Sequence, residues 1–148
     1  LGRDSFLLAS LGCKVTLFER SPIMAMLLED GIKRAMANEQ LFAAASNLNL
    51  VMGDAIQNLE SLTSGADVLL VDPMFPEKKK SAKVKGEMQF LQRFTGRDMD
   101  AAKLLDMALG CTFQRVVLKR PLFVYELSGL RPSFTLKGKS SRFDVFQR

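Results

Sequence analysis

VLLVDPMFPEKKK, residues 68–80, runs from an apolar segment into an acid, two prolines and a phenylalanine, and then into three lysines. Its apolar part belongs to the longer run ADVLLVD, residues 66–72, which predicts a strand that is covered on both faces. The acid and the prolines follow the carboxyl end of that strand. Because ligands of open α/β sheets bind beyond the carboxyl ends of the strands, this stretch also predicts a binding site.

Strand and helix patterns alternate along most of the chain. Strands are predicted at residues 13–19, 48–52, 66–72 and 114–120. Helices are predicted from LGRD to a C-cap at Gly12, from Ser21-Pro22 to about residue 45, and at residues 56–64, 84–94 and 98–109. Residues 132–146 show two alternating strands around a turn, which is typical of a hairpin. We therefore expect a single α/β domain, residues 1–148, with a mostly parallel sheet and a C-terminal antiparallel hairpin.

The composition excludes several kinds of chemistry. The sequence contains no histidine, so serine-histidine and cysteine-histidine catalysis and HExxH zinc sites are excluded from this stretch of chain. Its two cysteines, Cys13 and Cys111, are too few for a CxxC-type zinc site and indicate free thiols in a reducing cytosol. No apolar run approaches the roughly 18 residues of a membrane span. We expect a soluble, cytoplasmic protein with no metal and no membrane partner.

Charge is distributed unevenly between the two halves of the sequence. Residues 1–72 carry 5 Lys/Arg against 9 Asp/Glu, a net charge of −4, whereas residues 73–148 carry 16 against 7, a net charge of +9. The positive charge begins at the quoted stretch. A basic surface of this kind is typical of a protein that binds a phosphate backbone, although solubility alone would account for the same asymmetry.

Small and charged residues stand at the start of the first helix and at the ends of the predicted strands. An acid at the end of such a strand, as at Glu19, can accept hydrogen bonds from vicinal ribose hydroxyls. Each position alone also fits a solvated strand end or a turn, but together they indicate a nucleoside-bearing cofactor, either a dinucleotide or S-adenosylmethionine. No GxGxxG fingerprint is present, which disfavours the dinucleotide. The candidate cofactor contacts are Gly2, Arg3, Asp4, Glu19, Arg20, Gly53, Asp54 and Asp72.

DPMF, residues 72–75, resembles the (D/N)PP(Y/F) motif of Rossmann-like amino methyltransferases, with Met74 in place of the usual second proline. The resemblance implies that Asp72 and the Pro73 carbonyl accept the two N–H groups of an amine while Phe75 stacks on the base. Accepting both N–H groups favours a pyramidal nitrogen whose lone pair points at the methyl group of S-adenosylmethionine. The alternative is that Asp72 caps a turn and Phe75 packs on the core.

LGRD, LFER, DPMFP, KKKSAKVKGEM, VVLKRP and KGKSSRFDVF, in this order, resemble the RsmJ family of small-subunit ribosomal RNA guanine-N2 methyltransferases. The resemblance covers essentially all 148 residues. It implies a Rossmann-like class I fold and methyl transfer from S-adenosylmethionine to the N2 amine of a specific guanosine in 16S rRNA. The family's first strand and its DATAG-like loop have no counterpart here, and the sequence opens at LGRD without a methionine. We therefore expect an N-terminally incomplete methyltransferase domain.

Basic residues follow the DPMF turn and recur after the next strand and in the hairpin. If Phe75 holds a base, these residues lie where the backbone of small-subunit rRNA, free or within the ribosomal subunit, must pass. A solvated charged face is the alternative. Since a guanosine inside a duplex could not reach Asp72, we expect base flipping or a loop substrate. The predicted RNA contacts are Lys78, Lys79, Lys80, Lys83, Lys85, Lys119, Arg120, Lys137, Lys139 and Arg142.

Other functions remain open from the sequence. An adenine-N6 or protein-glutamine N-methyltransferase would present an amino group to the same pair of acceptors. A noncatalytic RNA-binding α/β module with a vestigial cofactor pocket would show the same basic charge. An oxidoreductase is disfavoured, because Asp72-Pro73 has no obvious role in hydride transfer.

Overall fold

The computed structural model describes residues 2–62, 65–73, 101–122 and 131–147. The chain divides into two compact units, Leu1–Gln57 and Asn58–Arg148. In the part of the chain that is described, no helix is both long enough and apolar enough to cross a membrane. The helix predicted at 84–94 and the first residues of the one predicted at 98–109 lie outside the described residues. That residues 1–148 form a single domain stays a prediction.

The first unit is built on two parallel strands. Its elements are α1 (Arg3–Ser10), β1 (Val15–Glu19), α2 (Pro22–Met36), α3 (Phe42–Ala45) and β2 (Leu48–Met52). Strands β1 and β2 pair in register from Val15 opposite Leu48 to Glu19 opposite Met52. The carboxyl ends of the two strands therefore lie side by side at one edge of this small sheet.

Small side chains form much of the core of the first unit. Helix α1 packs on α3, and α2 packs on α3 and β2. Alanine leaves room for close approach between these elements, and the larger Leu17 and Met24 fill the remaining space. The buried apolar residues are Ala9, Leu17, Met24, Ala25, Ala44 and Ala45.

The helix predicted from Pro22 to about residue 45 is two helices, so the single-helix prediction is wrong. Helix α2 ends at Met36, and residues 37–41 form turns before α3 begins. The Asn38 Oδ1 accepts a hydrogen bond from the Gln40 N–H at 2.9 Å. An asparagine side chain that offers its own neighbours a hydrogen-bond acceptor competes with the helix, which accounts for the break at this point.

The second unit contains a four-stranded mixed sheet. The remaining elements are α4 (Ala55–Leu62), β3 (Val68–Val71), α5 (Ala101–Gly110), β4 (Arg115–Pro121), β5 (Phe134–Lys137) and β6 (Ser141–Gln147). The strand order is β3-β4-β6-β5, in which β3 and β4 are parallel and the other pairs antiparallel. The predicted α/β class and the C-terminal antiparallel hairpin are confirmed.

One face of this sheet carries the core of the second unit. Helix α5 packs against β3 and β4. Strand β3 is less covered than predicted, because Val68 is 48% exposed and only Val71, at the other end, is buried. The core cluster consists of Leu59, Val71, Leu105, Ala108, Phe113, Val116 and Leu118.

Candidate cofactor and amine sites

Glu19 and Gly53 are neighbours at the carboxyl edge of the first unit's sheet. The Gly53 N–H donates to the Glu19 carbonyl oxygen at 3.0 Å. The Glu19 carboxylate is itself held in place, because its Oε1 accepts a hydrogen bond from the Ser21 N–H at 2.8 Å. A carboxylate has lone pairs on both oxygens, so an anchored Glu19 can still accept hydrogen bonds from a ribose diol. The structure brings these two predicted segments together.

Asp54 directly precedes helix α4. Its Oδ1 accepts a hydrogen bond from the Ile56 N–H at 2.9 Å, which satisfies one of the free donors at the helix start. The turn that the sequence suggested for this position is therefore present. A contact between Asp54 and an adenine amino group stays a prediction, and it would have to use lone pairs that the Ile56 N–H does not occupy.

Gly2 is required by the backbone and by packing. It adopts the left-handed conformation at the start of α1, with φ 59°. A Cβ at this position would lie 2.7 Å from the Leu28 Cδ2 atom. The absence of a Cβ at Gly2 therefore makes room for the Leu28 side chain. Asp4 lies in the first turn of α1, where a carboxylate is favoured by the helix dipole, and Arg3 beside it is exposed.

Asp72 forms an ion pair with Lys119 in the second unit. Its Oδ2 lies 3.1 Å from the Lys119 Nζ, and the two side chains are 50% and 27% exposed. Val71 pairs with Leu118 in the parallel β3–β4 register, so Asp72 and Lys119 are the next residues on adjacent strands. The sequence predicts an RNA contact for Lys119, and this ion pair was not predicted. The signal that could have revealed it is the parallel pairing of VLLV with RVVL, which places DP beside KR.

Pro73 is buried, whereas Asp72 before it is exposed. The pair therefore presents the acid to solvent and buries the proline ring. A proline at this position restricts the backbone and removes one N–H donor beside the carboxylate. The remaining member of the predicted amine site, Phe75, lies outside the described residues.

Arg120 and Arg142 both bind Asp144. The Arg120 Nη1 and the Arg142 Nη2 lie 3.3 and 3.1 Å from the Asp144 Oδ2. The Thr135 hydroxyl donates to the other carboxylate oxygen at 2.8 Å. With 4% of its side chain exposed, Arg120 does not present its guanidinium for the predicted RNA contact. The reason is the alternation of β4, which turns Val116 and Arg120 to the buried face.

The other predicted RNA-binding residues differ in position. Lys137 and Lys139 are exposed in the hairpin, and Lys137 pairs with Arg142 across β5 and β6. Lys119 is partly exposed and bound to Asp72. The five lysines that follow DPMF, residues 78–85, lie outside the described residues.

Acids at the carboxyl ends of parallel strands, in a chain that alternates strand and helix, define a Rossmann-like α/β protein. Residues 1–148 match a family model described as "Putative SAM-dependent methyltransferase". This chain belongs to that family of S-adenosylmethionine-dependent methyltransferases. The class and the cofactor predicted from the sequence are thereby confirmed at the level of the family.

Individual relatives agree with this assignment. The chain is 49% identical over 147 residues to "Ribosomal RNA small subunit methyltransferase J" of Aeromonas salmonicida, covering 99% of this chain and 59% of the relative. It is 46% identical over 146 residues to the protein of the same name from Colwellia psychrerythraea, covering 99% and 53%. The chain therefore spans between half and three fifths of the length of these relatives. The predicted resemblance to the RsmJ family is confirmed.

A solved structure shows the same fold. The crystal structure of a SAM-dependent methyltransferase from Neisseria gonorrhoeae is similar to this chain with a TM-score of 0.78 and 40% sequence identity. The match covers 99% of this chain and 57% of that protein. The Rossmann-like methyltransferase architecture predicted from the sequence is confirmed by this similarity.

Proposed function

We propose that this protein transfers a methyl group from S-adenosylmethionine to the N2 amine of a specific guanosine in 16S rRNA. The observation that carries the proposal is the half-exposed Asp72 carboxylate directly after β3, in a member of a methyltransferase family. The relatives from Aeromonas and Colwellia are named as methyltransferases of the small ribosomal subunit RNA. The choice of guanine N2 rests on the resemblance of DPMFP and its neighbours to the RsmJ family.

The first unit supplies residues that fit the nucleoside of the cofactor. Glu19, anchored through the Ser21 N–H, accepts hydrogen bonds from the ribose hydroxyls. Gly53 and Asp54 follow the adjacent strand, within reach of the same nucleoside because the Gly53 N–H is bonded to the Glu19 carbonyl. When bound, S-adenosylmethionine supplies an electrophilic methyl group on a sulfonium centre. Gly2, Arg3, Asp4 and Arg20 complete the proposed cofactor contacts.

Asp72, Pro73 and Phe75 act on the amine. The lone pair of an exocyclic guanine nitrogen is delocalised into the ring, so the amine is a poor nucleophile. Asp72 accepts one N–H and the Pro73 carbonyl accepts the other, which favours a pyramidal nitrogen, while Phe75 stacks on the base. The nitrogen lone pair would accept the methyl group that bound S-adenosylmethionine supplies, with the electrons of the broken S–C bond remaining on sulfur, and one amine proton would leave to solvent past Asp72.

Basic residues guide the RNA. The exposed Lys137 and Lys139 in the hairpin and the lysines that follow DPMF in the sequence neutralise phosphates of the RNA. Arg142 contributes through its partly exposed side chain, and the buried Arg120 binds the same Asp144 carboxylate beside it. The target guanosine is flipped out of a helix or belongs to a loop. Because the proposed substrate is ribosomal RNA, we also propose that the protein acts in the cytoplasm.

Methyl transfer to ribosomal RNA tests this function directly. The protein expressed from its complete coding sequence is incubated with radiolabelled S-adenosylmethionine and small ribosomal subunits from cells that lack it, and in parallel with naked rRNA. We expect labelled N2-methylguanosine on nucleoside analysis. Labelled N6-methyladenine or labelled protein would show that the substrate amine belongs to adenine or to a protein, and not to guanine. RNA binding with no incorporation would favour the noncatalytic module.

A further inference from the structure

We infer that Lys119 is a positioning residue for Asp72, holding one carboxylate oxygen so that the other is presented to the amine of the substrate. The inference rests on the proposed function, in which Asp72 accepts an N–H of the target base. It assigns to Lys119 a role in the chemical step, in place of the RNA contact that the sequence predicted.

The geometry of the parallel strands sets this contact. Val71 lies opposite Leu118, and each strand places its next side chain on the other face of the sheet. Asp72 and Lys119 therefore leave the sheet on the same side, one position beyond the last paired residues. The Nζ–Oδ2 distance of 3.1 Å lies within the range of a hydrogen bond between the two charged groups.

The backbone of Lys119 is held on both sides. Leu118 before it is 1% exposed, and Arg120 after it is 4% exposed and bound to Asp144 on β6. The ammonium group therefore extends from a rigid segment, and its stem is partly covered, since the side chain is only 27% exposed. Asp72 differs, because it follows the end of a strand and its side chain is half exposed. A fixed cation beside a half-exposed acid restricts the rotamers of the acid.

Only one oxygen of Asp72 is engaged within the described residues. Oδ2 contacts Lys119, and the structure shows no partner there for Oδ1. A carboxylate can accept hydrogen bonds at both oxygens. When Oδ2 is held by Lys119, the direction of Oδ1 is fixed as well. An acceptor in a fixed direction aligns the substrate amine for methyl transfer.

The same contact weakens the case for Lys119 as an RNA-binding residue. Its charge is balanced by Asp72 at 3.1 Å, so it adds little to the attraction of distant phosphates. Removing the Lys119 ammonium group should then lower the rate of the chemical step, whereas removing a phosphate-binding side chain should weaken RNA binding. The two roles predict different kinetic parameters.

The test compares Lys119→Met and Lys119→Arg in the complete protein, assayed with small ribosomal subunits. We expect Lys119→Met to lower kcat by about 10-fold or more, with KM for the subunit changed by less than about 3-fold, because a misplaced acceptor costs transition-state alignment. Lys119→Arg, which keeps the charge and the donors, should recover much of kcat. Lys103→Met, an exposed lysine on α5, is the matched control and should behave as the parent protein.

Asp72→Ala, which removes the acceptor, separates this inference from the proposed function. If Asp72→Ala is inactive and Lys119→Met keeps its kcat, the inference about Lys119 is overturned and the function stands. If Asp72→Ala keeps its kcat, the proposed role of Asp72 is wrong and the inference fails with it. A raised KM at unchanged kcat in Lys119→Met would show that Lys119 binds RNA and does not position Asp72. Lys119→Gln provides the same comparison if the methionine variant does not fold.

Discussion

Arg120 and Asp144 form an ion pair inside the second unit, with 3.3 Å between Nη1 and Oδ2 and with side chains that are 4% and 3% exposed. The pair joins β4 to β6, and Arg142 and Thr135 complete the hydrogen bonding of the same carboxylate. Two guanidinium groups thus share one acid. Removing that acid takes a negative charge away from the buried Arg120 guanidinium, which is costly in a protein interior.

Asp144→Asn should lower the free energy of unfolding by about 3–5 kcal/mol, the typical cost of removing one member of a buried pair. The asparagine oxygen can still accept a hydrogen bond from the Thr135 hydroxyl, so the loss of unfolding free energy measures the effect of removing the negative charge. Urea unfolding measures it. Asp106→Asn, at an exposed position on α5, is the control and should change stability by less than about 0.5 kcal/mol. A loss below about 1 kcal/mol for Asp144→Asn would contradict this account.

Gly2→Ala should destabilise the first unit by about 1–3 kcal/mol, because alanine is strained in the left-handed conformation and its Cβ meets Leu28. Gly31→Ala is the matched control, since Gly31 lies inside α2 and a Cβ there has nothing within 4 Å. That change should stabilise the helix by up to about 1 kcal/mol. Thermal melting of both variants checks the prediction, and equal effects of the two would refute it.

Leu105→Ala should cost about 2–5 kcal/mol of unfolding free energy, because Leu105 is 1% exposed in the core beneath the sheet and its truncation leaves a cavity. Leu136→Ala makes the same chemical change at a residue of β5 that is 58% exposed. We expect that control to cost less than about 1 kcal/mol. Similar losses for both leucines, measured in urea, would be inconsistent with the core described above.

Glu19→Gln should weaken binding of S-adenosylmethionine by about 10–100-fold, since a hydrogen bond to a charged group contributes about 1.5–3 kcal/mol. The glutamine oxygen can still accept the Ser21 N–H, so the fold should be retained. Isothermal titration calorimetry on the complete protein gives the Kd. Glu29→Gln removes an exposed acid that is paired with Lys33 on α2, and it should leave the affinity unchanged. Equal affinity for S-adenosylmethionine in both variants would show that Glu19 does not contact the cofactor.

Replacing Lys78, Lys79 and Lys80 together by alanine should weaken RNA binding and flatten its salt dependence. The slope of log K against log salt is expected to fall by about 0.7–0.9 for each phosphate that the variant no longer neutralises. Filter binding of rRNA across a range of salt concentrations measures the slope. Lys103→Ala should leave it unaltered, and an unaltered slope in the triple variant would assign these lysines to a solvated face.

Local patterns predicted much of the fold. Strand β2 has the bounds that the sequence indicated, and α1 ends just before Gly12, which takes a positive φ of 90°. The prediction of a single helix through Asn38 failed because the apolar spacing continues across a residue whose side chain competes for backbone hydrogen bonds. Helical periodicity reports which side chains face the core, and it does not report that competition.

The sequence by itself determined the α/β class, the acids that follow the strands and the methyltransferase motif, because each is encoded in a few neighbouring residues. Only the tertiary structure decided which charges meet. Asp72 and Lys119 are 47 positions apart, and Arg120 is turned inward to Asp144 while Lys119 beside it is turned outward. Contacts of this kind depend on strand order, register and the alternation of side chains across a sheet, which are set by pairing between distant segments.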